Sequence, residues 1–469
     1  MGTRHPMSHA DAAWLQMDRP TNLMVITSAL WFDAPIDEQR LRAVVQERLI
    51  DPFPRFAQRV AAGVAGPAWE DDPEFDLDLH IHHLALAAPG DQATLQAVVG
   101  DLMAQPLDHS RPLWALYLLD GYGEGCAIVT RMHHAIADGI ALARVMLTLT
   151  DPVGDGEADV LEIADSGDAQ AGAEDQGALG RLAAPVRSGA AAGRAVAGSG
   201  VHAAVETLLH PRSVADLARH GGPYGAALLQ LLTAPAQPQS ALHGRLGATR
   251  RAAWSRPLSL AEIRRVGHLH GATINDMLVA GVTGAVRSYL LAHDGAAEDT
   301  AAMVPFNLRA LDEPLPRDLG NRFGLVVLNL PAAIEDPAGR LDEVAARMLA
   351  LKRSRQGEVS YGILDAIGRM PAAVESRVVD LMAAKAVMVL TNVPGPRAPI
   401  ALAGVPVAGV LVWAPCSGSV GMSVSVFSYD GRVTVGFMTD GGLVPDPAEL
   451  VDAFEAELAT IGVPAGQPS

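Results

Sequence analysis

Cysteine is almost absent from this 469-residue chain: Cys126 and Cys416 are the only two, each inside an apolar run. Two distant thiols make neither a disulfide framework nor a zinc site, so no metal is expected and a reducing, cytoplasmic setting is the simpler expectation. Aromatic residues are scarce at 4%, yet 49% of the chain is hydrophobic, enough for a sizeable buried interior. Basic charge is also short. The formal net charge of -18 excludes a nucleic-acid partner and wholesale electrostatic docking to anionic lipid, both of which need a Lys/Arg surplus. The N-terminal residues lack a basic head followed by an apolar signal core, and no apolar run approaches the ~18 residues of a spanning helix. A chain of this length is expected to form two or three domains.

What is present alternates between helical and strand patterns. Ser8 is placed to cap a helix with Asp11 three residues on, Leu23–Phe32 reads as a strand, and Asp37–Leu49 reads as a helix with Leu41, Val44, Val45 and Leu49 on one face. Asp78–Leu84 alternates with period two, which makes His80, His82 and His83 strand-face residues rather than a metal cluster. From Asp151 to about Gly177 the chain is acidic and poor in large apolar side chains, as in a surface loop; Ala178 to about Pro238 turns helical. A second α/β stretch opens at Arg250, with helices capped by Ser259 and Thr273 and six strand-like runs up to Thr439. The expected division is therefore 7–150, a loop and helical linker over 151–249, and 250–469, an α/β (α+β) pair of domains with the active site in a crevice between them.

The densest chemistry is His133-His134-Ala135-Ile136-Ala137-Asp138-Gly139, set between an apolar strand (Cys126–Val129) and an amphipathic helical pattern from Ile140. Histidine accepts a proton near neutral pH, and Asp138 can turn back to anchor the loop, with Gly139 allowing a tight backbone path. An isolated His pair reads equally as a metal site or as two incidental residues. The strand before it and the Asp-Gly after it favour catalysis.

Further segments in fixed order narrow the reading. Met7–Trp14, Pro112-Leu113-Trp114, Ala272–Asp276, Val304–Arg309, Leu319–Phe323, Thr391–Pro396 and Ser428–Arg432, together with HHxxxDG, resemble the bacterial wax ester synthase/acyl-CoA:diacylglycerol acyltransferase family, within the superfamily that includes chloramphenicol acetyltransferase-like enzymes and condensation domains. The likeness runs from about Met7 to about Phe454. It implies two chloramphenicol acetyltransferase-like domains with a channel at their interface. It also implies transfer of a fatty acyl group from acyl-CoA, a substrate rather than a cofactor, to a fatty alcohol or diacylglycerol hydroxyl.

By motif position, the resemblance makes His134 the general base, with His133 shaping the site. Of two roles for Asp138, a second base or a structural residue, the structural one is favoured: it is expected to hold the loop, with Arg309 as first candidate partner. Asn275 either polarises the thioester carbonyl or orients His134, a role compatible with simple helix capping by Asn275 and Asp276. Pro112, Leu113 and Trp114 would pack beneath the site, and Asn392, Pro394 and Gly395 would form a turn-rich loop near the crevice. The runs Ile274–Val282 and Val378–Leu390 could line an acyl slot, with core the safer assignment. A hydrophobic acceptor implies peripheral contact with the inner face of the plasma membrane or a lipid droplet. Two other readings share the fold: a condensing or acetyl-type transferase of a specialised metabolite, and an inactive lipid-binding relative.

Overall fold

The computed structural model describes residues 4–63, 66–154, 236–307, 316, 318–321, 323–352, 379–464 and 466. Most of the acidic segment, the helical pattern up to residue 235 and Arg309 lie outside them.

Helix starts follow the local chemistry of the chain. Ser8, Asp138, Ser259 and Thr273 each accept the backbone N–H three residues on, which satisfies a donor that no carbonyl inside the helix can reach. The helices that follow are His9–Met17, Gly139–Thr148, Leu260–Leu269 and Ile274–Asp294. The Asp37-capped helix is α-helical only over Glu38–Val45 and widens into a π turn over Gln46–Ile50.

Two large sheets organise the described residues. The first has the order Gly409–Trp413, Val25–Phe32, Gly125–His133, Trp114–Tyr122, Ile81–Ala85. Its central pair is antiparallel, with Val25 opposite His133 and Phe32 opposite Cys126. Both strands are buried along their whole length, as their β-branched and aromatic residues suit. The edge strand Gly409–Trp413 comes from the C-terminal half of the chain and pairs with Val25–Phe32, so the two halves share this sheet. The second sheet orders Leu258–Ser259, Arg432–Asp440, Met422–Tyr429, Met388–Pro394, Thr300–Asn307 and Phe323–Leu330, with Arg250–Trp254 also on Arg432–Asp440.

Two apolar cores form: the first joins the first sheet to residues of the second such as Trp254, Met303, Val389 and Phe427, and the second lies on the second sheet alone. In the second, the helix Ile274–Asp294 lies against Ala448–Ile461 so closely that a Cβ at Gly281 would sit 2.7 Å from the Phe454 ring. Glycine is needed there for that approach alone. The buried Arg250 joins the halves: it pairs with Asp440 at 2.8 Å and donates to the Thr21 carbonyl and the Asn22 side chain.

One expectation changes here. Asp78–Leu84 is not one alternating strand: Asp76 caps a 3-10 turn over Leu77–Leu79, and the strand begins at Ile81. His80 is therefore buried, with Nδ1 2.8 Å from the Trp114 carbonyl and its ring stacked on Trp114 at 4.6 Å. His83 lies between Glu38 and Asp120, at 2.8 and 2.7 Å. The apolar run after Ile274 is packed interior, since Met277, Leu278, Val279, Ala280 and Val282 belong to the second core. Val387, Met388 and Leu390 belong to it as well, in keeping with core as the safer assignment.

Candidate active site

The strand Gly125–His133 delivers the motif. The His133 N–H donates to the Leu113 carbonyl at 2.9 Å, so the Pro112-Leu113-Trp114 segment clamps the strand end. Leu113 and Trp114 are buried, and the Trp114 Nε1–H donates to the Phe56 carbonyl at 2.8 Å, which makes this segment support for the loop. One residue later the His134 N–H donates to the Met24 carbonyl at 2.7 Å, extending the ladder by one rung. The chain then turns, with the Ile136 N–H on the His133 carbonyl, and enters the helix Gly139–Thr148.

Asp138 is the N-cap of that helix: its Oδ1 accepts the Ala141 N–H at 2.8 Å. The carboxylate thus ties the loop to the helix start, a structural position. Gly139 adopts no left-handed backbone, and a Cβ there would meet nothing within 4 Å. A tight backbone path therefore does not explain this glycine.

Asn321 holds the His134 ring. Its backbone N–H and side-chain Nδ2 both donate to Asp11 Oδ1, at 3.2 and 2.8 Å, and Nδ2 also donates to the His134 carbonyl at 2.8 Å. Two acceptors on Nδ2 fix which end of the amide faces where, so Oδ1 is the atom 2.9 Å from His134 Nδ1. A carbonyl oxygen can only accept. Nδ1 therefore carries the proton, and Nε2 keeps its lone pair. The ring packs in a cluster with Trp14 (4.1 Å, stacked) and Phe323 (5.2 Å), and the residue keeps only 4% exposure. Burial pushes the His134 imidazole down to about 3, so it stands neutral at neutral pH.

His133 has the opposite tautomer. Its Nδ1 accepts the Ala135 N–H at 3.0 Å, which leaves the proton on Nε2, 3.8 Å from Asp18 Oδ2. Asp18, His109 and His133 gather their ligand-type atoms within 4.8 Å of one another. With Nε2 protonated, however, His133 presents a donor and not a metal-binding lone pair. Burial works to raise Asp18, but bonds from His109, His133 and the Met24 N–H prevail and hold it far below the usual carboxylate range.

On the other lobe, Thr273 and Asp276 form a capping box: Asp276 Oδ2 accepts from Thr273 N and Oγ1, at 2.9 and 2.7 Å. Asn275 accepts a bond from Asn392 Nδ2, which ties the start of that helix to the strand Met388–Pro394. The residue that orients His134 is thus Asn321, not Asn275. Gly395 has a packing reason, since a Cβ would lie 2.3 Å from the Ser428 carbonyl oxygen. Sequence reasoning quoted Asn321 within a family-like segment and placed Asp11 in a helix cap, but tied neither to His134. No local pattern signals a bond spanning 187 residues.

The fold is that of the HHxxxDG acyltransferases and condensation domains. A wax ester synthase/diacylglycerol acyltransferase from Marinobacter aquaeolei superposes with a TM-score of 0.67 at 20% identity, covering 97% of this chain and 98% of that one. The first condensation domain of the calcium-dependent antibiotic synthetase gives 0.58 at 18%, with 98% and 95% covered. The family follows from sequence: residues 7–278 match the wax ester synthase/diacylglycerol acyltransferase catalytic domain and 319–462 the C-terminal domain. The chain belongs to this family and is an acyltransferase. A Mycobacterium tuberculosis protein named as a probable diacylglycerol O-acyltransferase is 28% identical over 96% of this chain and 94% of its own length. A Mycobacterium bovis relative named for the same activity is 31% identical, with 76% and 75% covered.

Proposed function

We propose that the chain moves a fatty acyl group from acyl-CoA to the hydroxyl of a fatty alcohol or diacylglycerol, with His134 Nε2 as general base. The observation that carries this reading is the Asn321-imposed tautomer, which leaves the lone pair of an unprotonated imidazole on Nε2. The alcohol gives its proton to Nε2 as its oxygen bonds to the thioester carbon. The tetrahedral oxyanion then collapses, the C–S bond breaks, and the departing CoA thiolate takes the proton back from Nε2. A ring this buried is a weak base alone. Its positive charge appears together with the oxyanion, and the two stabilise each other in a site of low dielectric.

Attack is direct in this reading. Burial raises Cys126 to about 11 and Cys416 to about 12, so neither thiol is available to carry the acyl group. Asn275 has its Oδ1 taken by Asn392, and its amide Nδ2 is the donor we assign to the thioester carbonyl. Residues 7–150 and 250–469 act as the two halves, with 151–249 between them. No described helix is long and apolar enough to cross a membrane. The insolubility of the acceptor places the reaction at a membrane or lipid-droplet surface in the cytoplasm.

Free-thiol release by the full chain, with palmitoyl-CoA and hexadecanol or dioleoylglycerol, tests the reading against acetyl-CoA with small alcohols and amines. His134→Ala is expected to lower the rate by about 10²–10⁴ with circular dichroism unchanged. An unchanged rate removes the proton-transfer role.

A further inference from the structure

The helix His9–Met17 meets the His134 loop through one face. Asp11, Trp14 and Asp18, the last being the residue that caps the C-terminal end, stand at i, i+3 and i+7. Asp11 holds Asn321, which bonds both the ring and the carbonyl of His134. Trp14 stacks on the ring at 4.1 Å.

Asp18 reaches the opposite end of the same residue. Its Oδ1 accepts the Met24 N–H at 2.7 Å, and the Met24 carbonyl accepts the His134 N–H at 2.7 Å. Met24 is fully buried, so water does not stand in for either bond. The main chain of His134 is thus bonded on both sides, to Met24 and to Asn321. Each of those partners is bonded in turn by a carboxylate of one helix. The chain between Asp18 and Met24 closes on itself, with Arg19 and Asn22 exchanging backbone bonds at 3.1 and 2.9 Å. The C-terminal half grips that turn, since Asn22 Nδ2 donates to the Gly418 and Val420 carbonyls at 3.0 and 3.1 Å.

The helix itself gains nothing from a carboxylate here. Its last turn ends in unpaired carbonyls and the negative end of the dipole, which disfavour an anion, and that turn holds no basic residue to offset them. Asp18 is ionised all the same. Burial works to raise it, but His109 at 3.2 Å, His133 and the Met24 N–H hold its carboxyl far below the usual range. Both oxygens therefore remain acceptors at neutral pH, Oδ2 facing the two imidazoles and Oδ1 holding Met24.

We infer that Asp18 is a positioning residue for acyl transfer: through Met24 it fixes the main chain of His134, and with Asp11 and Trp14 it makes one helix face the seat of the base. The inference rests on the acyl-transfer reading above. Misplacing a reacting group by ~1 Å costs about 10²-fold in rate, so a lost bond at this main chain appears in kcat. Contacts to acyl-CoA, and with them KM, are left alone.

Asp18→Ala and Asp18→Asn separate this role from plain support of the fold. The amide oxygen of Asn still accepts the Met24 N–H, whereas Ala leaves it without that partner. With palmitoyl-CoA and hexadecanol, kcat per folded molecule is expected to fall by about 10–10²-fold in Asp18→Ala and by less than about threefold in Asp18→Asn, with KM for palmitoyl-CoA within about twofold in both. If Asp18→Ala does not fold, Asp18→Ser replaces it, because a hydroxyl one bond shorter stops short of the Met24 N–H.

Hydrogen exchange reads the same bonds without turnover. Peptides covering Met24 and His134 should exchange about tenfold faster in Asp18→Ala and at the wild-type rate in Asp18→Asn. Equal kcat losses in the two variants overturn the inference, since the charge beside His133 and not the bond to Met24 is then responsible. Exchange that rises evenly along the chain overturns it too. Wild type that releases no thiol, with exchange at Met24 and His134 still faster in Asp18→Ala, sinks the transfer reading and keeps the hold of Asp18 on His134. Thiol release indifferent to Asp18→Ala does the reverse.

Discussion

Asn321 Oδ1 lies 2.9 Å from His134 Nδ1, while the same side chain donates through Nδ2 to the His134 carbonyl at 2.8 Å. One amide thus grips both the ring and the backbone of the residue proposed as base. Asp11 fixes the orientation of the amide by accepting Nδ2 at 2.8 Å. A carboxylate, an amide and an imidazole form a chain that sets where the proton sits.

Asn321→Leu removes the acceptor that holds the proton on Nδ1 while keeping similar bulk. Thiol release is expected to fall by about 10²–10³ with KM for acyl-CoA little changed, because geometry at the base is lost and substrate contacts are not. A structural role alone would lower the melting temperature and leave kcat of the folded fraction intact. Active-site titration with melting curves separates these outcomes.

Asp138→Ala deletes the cap on the helix that follows the motif. The bond to the Ala141 N–H alone is worth about 1 kcal/mol, with an upper range near 2. Denaturant unfolding gives this number. A variant as stable as wild type would contradict the capping role.

Acidification should destabilise the fold earlier than carboxylate titration would. Burial lowers His80, His133 and His134, the last to about 3 from an ordinary 6.5. Between those values the unfolded chain binds protons that the folded chain excludes, so stability is complete above 6.5 and declines as pH falls through that window. The slope is up to ~1.4 kcal/mol per pH unit for each excluded proton. Urea midpoints measured from about pH 8 to about pH 5 test this. The rate should show no protonation of His134 near 6.5, and an acid limb there that disappears in His134→Gln would contradict the depressed value.

How much of this the sequence determined depends on range. Helix starts at Ser8, Asp138, Ser259 and Thr273 were legible because a cap bonds a backbone group only three residues away. The strand before the motif and the helix after it were legible from apolar patterning, and HHxxxDG with its ordered companion segments was enough for the family. Where local rules failed, another part of the chain had intervened: His80 left the alternating face because Trp114 offered its ring and a carbonyl. The apolar residues after Ile274, for which core was the safer reading, are buried together by a helix and a sheet.

Tertiary structure alone decided which nitrogen of His134 carries the proton, and that Arg250 of one half bonds to residues of the other. Both depend on groups brought together across the two halves, Asn321 against His134 and Arg250 against Thr21 and Asn22. Composition and spacing carry no record of such meetings, because a hydrogen bond or a cavity wall is set by distance in space and is indifferent to separation along the chain.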